Sequence, residues 1–272
     1  MKKILVIISA PRSGSTHLCE LLRNISSLRV YTEIFHPGAA YGFENHLSQL
    51  EKLSKFLEVE FKSYSDNRLT CWLRNNPGSF LEYESSSLLG ASDAMCFKIF
   101  PGHLETKVFQ DEILRRKDVF VLFLQRRPVD AYISDLKASH LGTYNNADTT
   151  NLAIDISEDH FEAWYELRNK WFYENYNFLS QENLPYADLS YEIDIAGEPS
   201  IITRDLVKGF GRHGFSFEIP RHLINNSLQK QDLETDYSKK VRDWDLFLNR
   251  IFNNNKQIRL YKFFCPEMRK VF

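Results

Sequence analysis

A buried strand, a short polar loop and a helix follow one another directly at the start of the chain. Residues 2–9 contain the apolar run Ile-Leu-Val-Ile-Ile at positions 4–8, which is typical of a parallel strand covered on both faces. Residues 10–15 form a polar loop with one proline and one glycine, and from Thr16 onward leucine and isoleucine recur at helical spacing. This order predicts an α/β protein whose first strand lies inside a parallel sheet.

The rest of the chain repeats the alternation of strands and helices. Apolar runs predict further strands at residues 28–31, 94–100, 118–124 and 186–189. Helical spacing predicts helices at residues 43–61, 104–116, 128–142 and 158–179, whereas the weakly periodic residues 66–90 predict a long loop with helical turns. We therefore expect a single α/β domain over residues 1–272, with a central parallel sheet flanked by helices. It is P-loop-like in its first strand, loop and helix, and its C-terminal portion is helical.

The composition limits the classes of protein to which the chain can belong. Of 272 residues, 43% are hydrophobic and 14% are aromatic, which is enough to build a core and excludes a disordered chain. The net charge of −2 argues against a nucleic-acid partner, which usually requires a basic excess. No apolar run approaches the roughly 18 residues of a membrane span, and the run at 4–8 is too short for a signal peptide. We therefore expect a cytoplasmic protein, whose four cysteines form no Cys-x-x-Cys pair and remain free thiols.

The first loop has the chemistry of an anion-binding site. Residues 11–16 read Pro-Arg-Ser-Gly-Ser-Thr, and a loop between a strand and a helix directs backbone N–H groups at one point. Arg12 adds a guanidinium group for phosphate or sulfate oxygens, and Ser13, Ser15 and Thr16 add hydroxyl donors. The alternative is an ordinary turn in which a serine caps the helix. The loop is not a Walker A motif, because it lacks Gly-Lys-Ser/Thr and therefore the lysine that binds a γ-phosphate.

A second anion-binding stretch follows the predicted strand at 118–124. Arg126 stands at the strand exit, and Ser134 lies about two turns into the helix that Pro128 opens. An arginine and a hydroxyl in this arrangement can hold a second phosphate, although a surface arginine and a helical serine give the same pattern. Both stretches follow the carboxyl ends of parallel strands, where α/β folds bind ligands. Together they predict a ligand with an anionic group at each end and a nucleoside-sized gap between the two groups.

The pair of stretches resembles the nucleotide-binding motifs of sulfotransferases that use 3′-phosphoadenosine 5′-phosphosulfate (PAPS). Residues 11–16 match the first family motif, which binds the 5′-phosphosulfate, and Arg12 stands where that motif has its basic residue. The second motif, Arg-x-Pro-x-Asp-x-x-x-Ser, binds the 3′-phosphate and is matched by Arg126, Pro128, Asp130 and Ser134. The cofactor-binding residues that the resemblance implies are Arg12, Ser13, Gly14, Ser15, Thr16, Arg126 and Ser134.

Residues 32–37 narrow the resemblance to a subgroup. Their sequence, Thr-Glu-Ile-Phe-His-Pro, and the arginine of the first motif are similar to bacterial carbohydrate sulfotransferases, including those that modify trehalose and nodulation factors. In that subgroup the corresponding glutamate is the proposed catalytic base, which implies this role for Glu33. Lys230 and Arg242 are further phosphate contacts by loose analogy with the family.

The resemblance implies transfer of a sulfuryl group from PAPS to a hydroxyl of a small-molecule or carbohydrate acceptor, with release of adenosine 3′,5′-bisphosphate (PAP). Sulfuryl transfer, like phosphoryl transfer, passes through a loose in-line transition state, so catalysis depends on positioning and charge stabilisation. Arg12 and the loop N–H groups would neutralise charge on the departing 5′-phosphate, and Glu33 would accept the hydroxyl proton. This scheme requires no metal ion.

Several alternatives remain open from the sequence. His36 or His17 could replace Glu33 as the base, because imidazole titrates in the right range. The protein could instead be a nucleotide-dependent small-molecule kinase, or it could bind PAPS without catalysis. We expect acceptor choice to depend on residues 66–90 and 145–151, and we expect the aromatic residues of the helix at 158–179 to pack in the core. The identity of the acceptor and the oligomeric state stay open, with a homodimer as one option.

Overall fold

Parallel strands form a sheet at the centre of the structure. The structure is a computed structural model that describes residues 4–88, 93–143, 148–218 and 232–253. Its strands are β1 (Ile4–Ile8), β2 (Leu28–Val30), β3 (Ala94–Ile99), β4 (Val119–Gln125) and β5 (Tyr186–Ser190). Their order across the sheet is β2-β3-β1-β4-β5, and every neighbouring pair is parallel. The expectation of an α/β fold around a parallel sheet is confirmed.

The central strand, β1, determines where the loops of interest meet. Its five side chains are fully buried, because β3 and β4 pair with its two edges and helices cover both faces. Ile8 pairs with Ile99 of β3 and with Phe123 of β4, so the three strands end side by side. The segments that leave them therefore come together at the carboxyl edge of the sheet, as the sequence predicts.

Helices cover both faces of the sheet. The helices are α1 (Ser15–Leu22), α2 (Leu47–Leu57), α3 (Asn67–Asn75), α4 (Pro77–Ser86), α5 (Thr106–Val108), α6 (Pro128–Leu141), α7 (Glu158–Gln181), α8 (Pro199–Arg212), α9 (Tyr237–Lys240) and α10 (Trp244–Asn253). Side chains alternate along β1, so that Val6 belongs to an apolar cluster with side chains of α2, α3, α4 and α7, whereas Ile7 belongs to a second cluster with side chains of α1 and α8. A third apolar cluster joins α6 and the first half of α7 to α10.

Two helices occupy most of the segment predicted to be a long loop at residues 66–90. Asp66 caps α3 by accepting a hydrogen bond from the backbone N–H of Arg68 at 2.9 Å, and Pro77 occupies the first turn of α4. Each helix buries only a few apolar side chains against the core, so the periodicity in the sequence is weak. The prediction of a loop was wrong for this reason.

Other predicted boundaries differ by a few residues. The helix predicted at 43–61 is divided into a 3₁₀ turn (Phe43–Asn45) and α2. The helix predicted at 104–116 begins as α5 and continues as a wider π turn (Phe109–Leu114). A second π turn (Tyr191–Ile195) follows β5, and the described residues beyond it are mostly helical, as expected.

Some sequence-based expectations fall on residues outside the described ranges. These are residues 89–90 and 145–147, Lys230 and the fourth cysteine, Cys265. Within the described ranges, no helix has both the length and the hydropathy that crossing a membrane would require.

Candidate active site

The loop between β1 and α1 has an unusual backbone conformation. Arg12 and Gly14 have φ angles of 64° and 82°, in the left-handed region that favours glycine. Position 14 requires glycine for a second reason, because a Cβ on Gly14 would clash with the ring of Tyr191. Ser13 is fully buried, and its hydroxyl donates a hydrogen bond to the carbonyl of Ala10. The Ser13 hydroxyl therefore stabilises the loop itself, which differs from its expected role as a donor to a ligand.

The two stretches that the sequence assigns to anion binding meet in the structure. Arg12 Nε donates a hydrogen bond to Ser134 Oγ at 3.0 Å, and Arg126 Nη1 donates one to the carbonyl of Arg12 at 3.0 Å. The β1–α1 loop and the start of α6 therefore form one site. Arg12, expected at the 5′ end of a nucleotide, contacts Ser134, expected at the 3′ end, and so connects the two.

A buried lysine at the end of β3 joins this loop to Glu33. Lys98 Nζ lies 2.8 Å from Thr16 Oγ1 and 3.1 Å from Glu33 Oε1, and the Lys98 side chain is 3% exposed. Burial of an ammonium group is costly unless the group is paired and hydrogen-bonded, and here it is both. The site residues predicted from the sequence do not include Lys98. The feature that could have indicated it is a single lysine in the otherwise apolar strand Ala-Met-Cys-Phe-Lys-Ile.

Glu33 lies just beyond β2, and its carboxylate is held by two basic side chains. Besides Lys98, His103 contributes Nε2 at 3.5 Å from Glu33 Oε2. Burial alone would raise the pKa of Glu33, but the hydrogen bond from His103 and the charge of Lys98 outweigh it and lower the pKa to about 2. With this pKa the carboxylate is ionised at neutral pH. The Glu33 side chain is 22% exposed, so solvent can reach it.

The two histidines near Glu33, His36 and His103, each accept a backbone hydrogen bond at Nδ1. The Nδ1 atom of His36 accepts a hydrogen bond from the backbone N–H of Gly38 at 3.0 Å, and Nδ1 of His103 accepts one from Phe100 at 3.3 Å. A neutral imidazole whose Nδ1 accepts carries its proton on Nε2. Burial lowers the pKa of His36, which favours this neutral form. Of the three side chains, the carboxylate of Glu33 is therefore the proton acceptor.

The same three side chains form a set whose ligand atoms all lie within 4.8 Å of one another. A histidine that binds a metal ion usually donates its other ring N–H to a carbonyl or carboxylate. In this structure both Nδ1 atoms accept from backbone N–H groups instead. Metal binding through Nε2 would require both histidines to change tautomer and give up these bonds.

The other candidate base, His17, lies in the first turn of α1 and is half-buried. His36 lies close to Glu33, and their backbones are joined by a hydrogen bond from the N–H of His36 to the carbonyl of Glu33 at 3.0 Å. The structure therefore brings together Glu33, His36, Lys98 and His103.

The architecture is similar to that of solved sulfotransferase domains. The sulfotransferase domain from the curacin biosynthetic pathway matches with a TM-score of 0.51 and 14% sequence identity, over 88% of this chain and 83% of that chain. The chain has a sulfotransferase-like fold. A sulfotransferase domain from the Synechococcus PCC 7002 olefin synthase matches with a TM-score of 0.45 and 15% identity, over 88% of this chain and 87% of that chain. No protein-family model matches the sequence, and no curated protein matches it.

At this level of identity the similarity concerns the fold, and the chemistry depends on the side chains of this chain. Within the sulfotransferase-like fold, the β1–α1 loop, Arg126 and Lys98 all lie at the carboxyl edge of the sheet. Glu33 is joined to this edge through Lys98. The site thus combines a loop that contains Arg12 and is contacted by Arg126 with an ionised carboxylate that solvent can reach.

Proposed function

We propose that this protein is a sulfotransferase that transfers a sulfuryl group from PAPS to a hydroxyl of a small-molecule or carbohydrate acceptor and releases PAP. The observation that carries the proposal is the position of Lys98, whose Nζ contacts both Thr16 Oγ1 and Glu33 Oε1. One buried ammonium group joins a loop suited to an anion to a carboxylate suited to accept a proton. Transfer from an anionic donor to a hydroxyl requires these two groups side by side.

The residues that would hold PAPS lie in the β1–α1 loop and at the start of α6. The N–H groups of residues 13–16 and the hydroxyl of Thr16 would bind the 5′-phosphosulfate, with Arg126 and Ser134 on the 3′-phosphate and Arg12 between them. The Nε atom of Arg126 is buried without a hydrogen-bond partner among the described residues. A bound phosphate would satisfy it. The bound nucleotide supplies an activated sulfuryl group, and the protein supplies position and charge.

Glu33 would accept the proton of the acceptor hydroxyl as the hydroxyl oxygen forms its bond to sulfur. The bond from sulfur to the 5′-phosphate oxygen breaks, and Arg12 and the loop N–H groups would stabilise the charge left on that phosphate. In a loose transition state the hydroxyl proton leaves late, so a nearby carboxylate with a low pKa is sufficient. Once Glu33 is protonated, the charge of Lys98 would be left beside the loop, where the leaving phosphate gains negative charge.

The setting of the reaction forms part of the proposal. Residues 1–272 would act as one catalytic domain, and the scheme uses no metal ion. Cys19, Cys71 and Cys96 are free thiols, which fits a reducing compartment such as the cytoplasm.

The nucleotide part of the proposal is tested by calorimetric titration with PAP, 5′-AMP and ATP, each with and without magnesium. We expect PAP to bind in the micromolar range without magnesium, and Arg126→Ala to weaken it at least tenfold. Arg204→Ala is the matched control, because Arg204 lies on α8 and is about half exposed. Preference for ATP with magnesium would instead identify a kinase and refute the proposal.

The catalytic part is tested with labelled PAPS and a panel of sugars that includes trehalose. Glu33→Gln should bind PAP with unchanged affinity, since the carboxylate lies on the acceptor side of Lys98. Its transfer rate should fall by roughly 10²- to 10⁴-fold, the usual contribution of a general base. If the unaltered protein transfers the sulfuryl group and Glu33→Gln does so at the same rate, Glu33 is not the base.

A further inference from the structure

A buried arginine in the middle of α7 lies against the β1–α1 loop. Arg168 is only 9% exposed, and its Nη1 donates a hydrogen bond to the carbonyl of Pro11 at 3.3 Å. Its Nη2 is buried without a hydrogen-bond partner in the described part of the chain. The guanidinium carbon lies 5.1 Å from the ring centroid of Trp164 and 5.8 Å from that of Phe172.

Two carboxylates whose charges act on Arg168, those of Asp135 and Glu192, accept hydrogen bonds from other donors. Asp135 accepts a hydrogen bond from Trp164 Nε1 at 3.2 Å, and Glu192 accepts one from the backbone N–H of Arg127 at 2.9 Å. Burial, together with the charge of Arg126, lowers the pKa of Arg168 to about 10, so the group is still charged at neutral pH. Arg168 forms no ion pair with a carboxylate of the described residues. Burial of an unpaired guanidinium is costly, and a bound anion would offset that cost.

Arg126 contacts the same part of the loop. It donates to the carbonyl of Arg12, whereas Arg168 donates to the carbonyl of Pro11, so the two guanidinium groups bind successive carbonyls of one short segment. Each of them also has a buried nitrogen without a hydrogen-bond partner among the described residues. Two like charges held this closely, each with an unused donor, form a built site for a multiply charged anion.

We propose that Arg168 is a further nucleotide-binding residue, which together with Arg126 binds the 3′-phosphate of the sulfuryl donor. The inference rests on the proposed function, because that function supplies the nucleotide. A phosphate monoester carries a charge of about −1.5 to −2 at neutral pH, which a single arginine does not balance. Arg168 thereby makes the site select nucleotides with a 3′-phosphate over nucleotides without one.

The proposal is tested by comparing PAP with 5′-AMP, which differ only in the 3′-phosphate. We expect Arg168→Met to weaken PAP at least tenfold and to change the affinity for 5′-AMP less than twofold. Arg168→Lys keeps the charge and should recover part of the affinity for PAP. Lys170→Met is the control on the same helix, because Lys170 is 73% exposed. If PAP and 5′-AMP weaken by the same factor, Arg168 only supports the loop and the proposal is overturned.

The test also separates this inference from the proposed function. If the unaltered protein binds PAP no better than 5′-AMP, the proposed function fails, and inorganic phosphate and sulfate become the probes. Thermal melts then measure how much these anions stabilise the unaltered protein and the variants. Stabilisation that is lost in Arg168→Met, with or without loss in Arg168→Lys, would still support an anion site at Arg168. Equal stabilisation of the unaltered protein and both variants would overturn it. If Arg168→Met does not fold, Arg168→Gln, which also removes the charge, takes its place.

Discussion

The contacts of Glu33 lead to a specific prediction for stability at acidic pH. The pKa of Glu33 is lowered from an ordinary value of 4.5 to about 2, so its ionised form stabilises the folded state above the unfolded pKa. This contribution is lost as the pH falls towards the folded pKa. At about 1.4 kcal/mol for each pKa unit, the shift corresponds to about 3 kcal/mol at neutral pH, of which about 2 kcal/mol is lost between about pH 6 and about pH 3.

The measurement is urea unfolding followed by the fluorescence of the four tryptophans, at a series of pH values in this range. The difference in unfolding free energy between the unaltered protein and Glu33→Gln should be largest at about pH 6 and should shrink by about 2 kcal/mol at about pH 3. Glu51→Gln, which changes an exposed carboxylate on α2, should show a smaller change with pH. Parallel curves for the unaltered protein and Glu33→Gln would refute the conclusion that Lys98 and His103 hold the carboxylate ionised.

Three further predictions concern the same site. Lys98→Met removes the cation from a buried pair with Glu33 and should lower the unfolding free energy by about 3 kcal/mol, and in a double-mutant cycle with Glu33→Gln the two losses should be less than additive. Gly14→Ala places a Cβ against Tyr191 at a positive φ and should cost about 2 kcal/mol in urea unfolding, of which Tyr191→Ala should restore part; full stability of Gly14→Ala would contradict the loop geometry. Arg12→Gly relieves a left-handed φ that costs about 1 kcal/mol, but it also loses the hydrogen bond to Ser134. The unfolding free energy should therefore change by less than about 1 kcal/mol, whereas PAP binding should weaken at least tenfold in calorimetry.

The parts of the fold that could be predicted are those in which local sequence and tertiary burial agree. β1 and β4 are continuous apolar runs and lie in the middle of the sheet, so their pattern reflects burial on both faces. The segment at 66–90 was harder, because α3 and α4 depend on a capping aspartate and an opening proline more than on a regular apolar stripe. Those local features are readable in the sequence, but they carry less weight than periodicity.

The candidate site was predictable only where one stretch of chain carries the whole pattern. Arg126 directly follows β4 and Ser134 lies on α6, so their spacing is visible in one stretch of sequence. The role of Lys98 depends on the register that pairs Ile99 with Ile8, which no local pattern specifies. Arg168 was hidden for a similar reason, because it stands among aromatic residues that were expected to form core. Tyr165, Trp171 and Phe172 are indeed buried there, whereas Tyr173 is 61% exposed.

The central place of β1 has a consequence for the synthesis of the protein. Ile4 pairs with Met95 and with Val119, so β1 leaves the ribosome before either of the strands that pair with it. Until those strands have been made, a nascent chain carries an apolar strand with both edges open, a state that favours aggregation and binding by chaperones. The β1–α1 loop likewise gains the hydrogen bonds from Arg126 and Arg168 only late in synthesis. An N-terminal fragment that ends before Arg126 therefore contains the sequence of the loop but lacks both arginines that hold it.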